Sequence, residues 1–118
     1  MTVTTRFDRT DPPERPVALD DGGDLDALIE TYDTALVEFY TEGCGVCASM
    51  DPVLGIVARE SESVVATINP RDDPPLVDRF DVRSVPLLVV FRDGEPVERV
   101  ADGFQSVEDV LALVENAA

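Results

Sequence analysis

Two cysteines separated by two residues, Cys44-Gly45-Val46-Cys47, stand where the hydrophobic pattern of the chain changes period. Upstream, Ala35-Leu36-Val37-Glu38-Phe39-Tyr40 is an apolar run broken by one carboxylate, the pattern of a buried strand. Downstream, Val46, Met50, Val53, Leu54 and Val57 recur at three- and four-residue steps, the period of a helix. Both thiols therefore sit where a strand ends and a helix begins. The first-turn N–H groups and the helix dipole stabilise an anion there, and the anion a cysteine offers is the thiolate, its reactive form. Cys44, at or just before the first turn, feels this most. Cys47 lies one turn deeper on the same face and can reach back to close a disulfide. The chain has no other cysteine.

A chain of 118 residues is one domain, large enough to bury a single core without staples. Hydrophobic residues make up 44%, which excludes a disordered chain. The charge is the unusual feature: 25 acidic residues against 9 basic ones, all arginine, for a net charge of −16. Such a chain repels itself in dilute salt and is screened in concentrated salt. A protein adapted to a salt-rich cytoplasm, as in halophiles, is the expectation. An acidic tail on an ordinary protein is the alternative, though acidic residues spread from Asp8 to Glu115. Phosphate binding needs clustered basic residues, so nucleic acid and anionic membranes are poor partners. No apolar stretch is long enough to span a bilayer, and the N-terminus lacks the apolar core of a signal peptide. A cytoplasmic location is expected. A C-x-x-C pair there points to exchange chemistry or metal binding more than to a permanent staple.

Residues 1–14 are polar and proline-rich and are expected to form a flexible arm before a domain over 15–118. Pro16 to Leu19 is a strand candidate, broken by Asp20-Asp21-Gly22-Gly23. Asp24 is the expected N-cap of a helix carrying Leu25, Leu28 and Ile29. After the strand through Tyr40, the cysteine helix runs to about Ser61, with Pro52 inside it removing one backbone bond. Ser63–Asn69 is a third strand, and Pro74–Phe80 a short helix begun by proline. Pro86 precedes the apolar run Leu87–Phe91, and Asp93-Gly94 marks a hairpin whose second arm is Pro96–Val100. Ser106 caps a last helix with a stripe of Val107, Val110, Leu111 and Val114. The order β-α-β-α-β-α-β-β-α implies parallel pairs wherever a helix joins two strands, with an antiparallel edge from the hairpin.

These residues resemble the thioredoxin family from about Pro16 to the C-terminus. The anchors are Val37-Glu38-Phe39-Tyr40, Cys44-Gly45-Val46-Cys47, Pro52, Val85-Pro86, Phe91-Arg92-Asp93-Gly94 and Gly103. The resemblance implies an α/β thioredoxin fold: a mixed four- or five-stranded sheet flanked by four helices. It also implies dithiol–disulfide exchange without a bound cofactor or metal. Cys44 is then the attacking thiol and Cys47 the resolving thiol. Glu38 stands where the family keeps a buried aspartate that relays protons to the resolving cysteine. Pro86 aligns with a cis-proline, and the backbone of Val85 would meet a substrate strand. Gly45 and Val46 complete the substrate-binding face, and Gly103 keeps its groove open.

The motif departs from the family's Trp-Cys-Gly-Pro-Cys. Gly43 replaces the tryptophan and removes an aromatic wall. Val46 replaces proline and restores a backbone N–H, which alters the redox poise. The usual lysine beside the carboxylate is replaced by Thr67, and Leu87 follows the proline where threonine is common.

Competing readings exist for the same residues. The cysteines could be inert core residues. They could also be half of a zinc or iron–sulfur site, though two cysteines and no histidine fall short of four ligands. By alternation Glu38 shares a face with Leu36 and Tyr40. It is buried, and costly unless it works or is paired, if helices cover both faces; otherwise it is a surface or ion-paired carboxylate. Pro86 read alone would be an ordinary trans proline. Arg83 and Arg92 are expected to pair with surface carboxylates.

The expected function is reduction of protein disulfides by a monomer that a thioredoxin reductase-type donor recharges. The alternatives are a binding or assembly module with little turnover, and a glutaredoxin-like or oxidising variant.

Overall fold

The strand before Cys44 becomes the centre of the molecule because apolar side chains leave it on both faces. In the computed structural model, which describes residue 7 and residues 12–117, five strands form one sheet. They are β1 (Val17–Leu19), β2 (Thr34–Phe39), β3 (Val64–Ile68), β4 (Leu87–Arg92) and β5 (Glu95–Val100), in the order β1-β3-β2-β4-β5. Four helices pack on it: α1 (Gly22–Thr31), α2 (Gly45–Glu60), α3 (Pro75–Arg79) and α4 (Val107–Ala117). A single 3-10 turn, Pro70–Asp72, precedes α3.

Every residue of β2 is buried. Ala35, Val37 and Phe39 point into a core shared with Leu25, Leu28 and Ile29 of α1 and Leu76 of α3. Leu36 points the other way, into a core built from Met50, Leu54 and Val57 of α2 and Val110 and Val114 of α4. Glu38 follows Leu36 by two residues, so the period of a strand sends it to the α2 face.

β1 and β2 both pair with β3 in parallel, as helix-linked strands should. The next helix-linked strand does not follow that expectation, because β4 lies antiparallel to β2. β4 starts at the sheet end where β3 stops, with Leu87 opposite Phe39 and Phe39 opposite Ile68, so residues 69–86 do not carry the chain back along β3 before it re-enters the sheet.

The hairpin forms at Asp93-Gly94, both at positive φ (54° and 84°), as a tight two-residue connection requires. It leaves β5 at the edge. A bulge between Val90 and Phe91 sets Pro96 opposite Phe91.

The start of α1 corrects one expectation. Asp21, not Asp24, is the N-cap; its carboxylate accepts the Asp24 N–H at 2.9 Å. Gly22 and Gly23 form the first turn instead of breaking the chain. Gly22 packs closely: its N–H donates to Asp73 Oδ2 at 2.7 Å, and a Cβ there would sit 3.0 Å from that oxygen. Ser106 caps α4 as expected, accepting the Asp109 N–H at 3.1 Å.

Most of the expected arm over residues 1–14 lies outside the described residues. Of the described part, Phe7 is buried, its ring meeting Tyr32 edge-on with centroids 6.2 Å apart.

Candidate active site

β2 ends at Phe39, and a short loop carries the chain to Cys44, the N-cap of α2. Gly43 makes the entry with φ of +81°, a conformation that strains any side chain. Nothing lies within 4 Å of where a Cβ would sit, so a side chain on this backbone would meet strain and no clash at its Cβ. Cys44 Sγ accepts the Cys47 N–H at 3.1 Å, and the Cys44 carbonyl accepts the Ala48 N–H at 3.1 Å. A negative charge on Cys44 thus meets an N–H aimed at it and the positive end of a sixteen-residue helix. The two cysteines are disulfide-bonded, their Cα atoms 5.2 Å apart. Cys44 is half-buried and Cys47 is 4% exposed, which separates an accessible sulfur from a protected one.

A cavity of about 320 Å³ opens beside the disulfide, lined by Cys44 and Cys47, by Glu38 and Thr67 of the sheet, and by Asp51 of α2. Glu38 lies between Thr67 on β3 and Leu88 on β4 and is 1% exposed. Among the described residues, its Oε2 is a buried side-chain oxygen with no hydrogen-bond partner. Burial, and then the Asp51 carboxylate, push the Glu38 carboxyl up from 4.5 to about 8. It changes protonation in the range where cysteine thiols do, within one cavity with Cys47.

The remaining expected residues gather at the same end of the sheet without lining that cavity. The Val85–Pro86 peptide bond is cis and immediately precedes β4, whose first residue lies opposite Phe39. Gly103, at φ +83°, follows β5, whose last residue Val100 lies opposite Leu88. The loop after Gly103 is tied to α2 by a Gln105 N–H that meets Met50 Sδ at 3.4 Å. Gly45 and Val46 begin α2, and Val46 is 44% exposed. Phe104 is exposed as well, an aromatic beside a turn glycine whose position in the sequence went unused. Asp51 was also missed. Its signal is spacing: four residues after Cys47 on a helix is the same face.

The thioredoxin family profile matches residues 20–116. The chain belongs to the thioredoxin family. A thioredoxin of Staphylococcus saprophyticus is 35% identical over 82 residues, 68% of this chain and 78% of that one. A thioredoxin of Staphylococcus aureus (strain Mu50) is 32% identical over 94 residues, 78% of this chain and 88% of the other. Among solved structures, a mutant thioredoxin from Halobacterium salinarum NRC-1 superposes with a TM-score of 0.84 at 33% identity. That alignment covers 89% of this chain and 92% of that one. A Schistosoma mansoni thioredoxin, at 19% identity, shares the fold with a TM-score of 0.79 over 89% and 97% of the two chains. As a thioredoxin the protein is a thiol–disulfide oxidoreductase whose redox pair is Cys44–Cys47, and it reduces disulfides in proteins. No helix among the described residues is long and apolar enough to cross a membrane.

Proposed function

We propose that reduction proceeds through unequal roles for the two thiols, with Glu38 moving the proton. The observation that carries this reading is their difference in exposure: Cys44 is reachable and capped by an N–H, while Cys47 is protected beside a buried carboxylate. Cys44 as thiolate attacks a target disulfide, one target sulfur leaves, and a mixed disulfide forms. Cys47 then gives its proton to ionised Glu38 and attacks Cys44 Sγ, and the second target sulfur leaves with the electron pair. Gly45, Val46, Val85, Pro86 and Gly103 form the surface on which the target strand lies. The topology supports this by bringing all five to the disulfide's end of the sheet.

The working unit in this reading is residues 15–118, preceded by an arm that Phe7 attaches to the core. A reductase of the thioredoxin reductase type returns the electrons, and the protein acts as a monomer in a salt-rich cytoplasm. The charge of −16 is what supports that setting.

The test is trapping. Cys47→Ser, with a disulfide-bonded model protein in molar salt, is expected to accumulate a covalent adduct through Cys44 that dithiothreitol releases. Cys44→Ser is expected to form none. Adducts carried by Cys47 in the second variant would reverse the assignment.

A further inference from the structure

Glu38 does not face the cavity alone. Asp51 lies one helical turn beyond Cys47, so the helix presents Cys47 and Asp51 on one side, both lining the cavity that holds Glu38. Thr67 and Leu88, the residues flanking Glu38 on β3 and β4, carry no charge. Just beyond its strand Tyr40 also lines the cavity, and the loop adds Glu42 and Cys44 to the lining. The α4 residues buried against this face, Val110 and Val114, are apolar. Among the described residues, no basic side chain lines the cavity. Glu38 Oε2, among the described residues, has no hydrogen-bond partner that could hold it as an anion.

We propose that Asp51 is a positioning residue for the proton step of the exchange reaction, its exposed carboxylate acting across the shared cavity on Glu38. This rests on the relay assigned to Glu38 above. With Asp51 charged, ionised Glu38 meets a like charge and no counter-charge, so the protonated form is favoured. Of the charged groups around the cavity, Asp51 is the one that acts on Glu38, second only to burial. Glu42 and Asp72 act on Tyr40 instead.

The step in question balances without a co-reactant. The Cys47 S–H bond breaks and its proton passes to an oxygen of Glu38 in its ionised form, the minority form below its raised midpoint. A Cys47–Cys44 bond forms, and the Cys44–target bond breaks with its electron pair leaving on the target sulfur. The cysteine pair is oxidised and the target reduced. The cavity is open to solvent at its Asp51 rim, so the proton held on Glu38 has a route out.

In this arrangement Asp51 makes Glu38 a poor base at neutral pH and a ready acid. That favours the reverse event, in which a donor splits the Cys44–Cys47 disulfide and the Cys47 thiolate must be protonated. Removing the Asp51 charge should move the carboxyl toward the behaviour of a merely buried glutamate.

The experiment follows the Glu38 carboxyl carbon by 13C NMR in wild type and Asp51→Asn, alongside the pH profile of target reduction. The expected result is a Glu38 midpoint lower by roughly half a unit to one unit, with the rate profile moving in step. Asp51→Glu is expected to keep most of the wild-type midpoint. Asp51 is exposed, so its loss leaves the core intact, and a purely structural role would not move a midpoint. An unchanged Glu38 midpoint in Asp51→Asn overturns the proposal while leaving the relay standing. A Glu38→Gln variant with a wild-type pH profile overturns the relay, and with it the proposal.

Discussion

Glu38 is a liability to the folded protein as well as the proton relay proposed for the reaction. Its carboxyl is pushed from 4.5 to about 8, chiefly by burial. The sign of the consequence is fixed: between these values the folded state holds a proton that the unfolded chain releases. Stability must therefore fall as pH rises through this window. At about 1.4 kcal/mol per unit the ceiling is about 5 kcal/mol, and the cavity's access to water lowers it. Replacing Glu38 by glutamine keeps the shape and removes the titration. Glu38→Gln should gain on wild type between pH 5 and pH 8, by about 2–4 kcal/mol at the upper end. Urea unfolding of the oxidised proteins in molar salt at both pH values measures this. A constant difference across the window would mean that Glu38 keeps its ordinary titration. The sequence showed that this carboxylate shares a face with Leu36 and Tyr40, and its burial followed once helices covered that face. The sequence did not show Asp51 in the same cavity. The four-residue spacing from Cys47 puts Asp51 on the right face of α2, but its proximity to Glu38 belongs to the packing of α2 on β2, which no local period encodes.

Elements were legible where one interaction dominates. The β2 and β3 runs are apolar on both faces and could only be central strands. Asp93-Gly94 could only be a two-residue turn, since few other pairs accept positive φ twice. Elements governed by remote contacts were less legible. Gly22 and Gly23 looked like a break, yet they open α1 behind the Asp21 cap, with the Asp73 and Leu76 side chains packed closely against Gly22. The antiparallel direction of β4 depends on the end of the sheet to which residues 69–86 return, which no local pattern encodes. The turn gives a clean test at this scale. Gly94 is at φ +84°, and a Cβ there would meet only the Ile29 carbonyl, at 3.9 Å. Substitution by alanine therefore adds backbone strain and no clash. Gly94→Ala should destabilise by about 1 kcal/mol with the redox chemistry unchanged, read as a lower urea midpoint at constant slope. A loss several times larger would place an unrecognised contact at the turn.

The whole molecule carries a problem that no single residue solves. Pairing each of the 9 arginines with one carboxylate still leaves 16 of the 25 acidic residues without a partner. The pairs that form, such as Arg79–Asp26 at 2.6 Å and Arg83–Asp81 at 2.8 Å, lie partly or largely in water and contribute little each. What remains is self-repulsion, and its range decides the outcome. The radius of gyration is 13.2 Å. At 0.01 M salt the screening length is about 30 Å, so the charges of the whole molecule act on one another. At 1 M it is about 3 Å, so only immediate neighbours do. Unfolding spreads the charges apart, so repulsion favours the unfolded chain in dilute salt and loses that influence as salt rises. The urea midpoint at pH 7 should therefore climb steeply from 0.01 M to about 0.3 M sodium chloride and flatten beyond it, because screening has by then fallen well inside the molecular radius. A salt effect on apolar surface would instead keep strengthening into the molar range. A midpoint unchanged below 0.3 M would show that the acidic surface does not weaken the fold, and adaptation to salt would lose its physical basis.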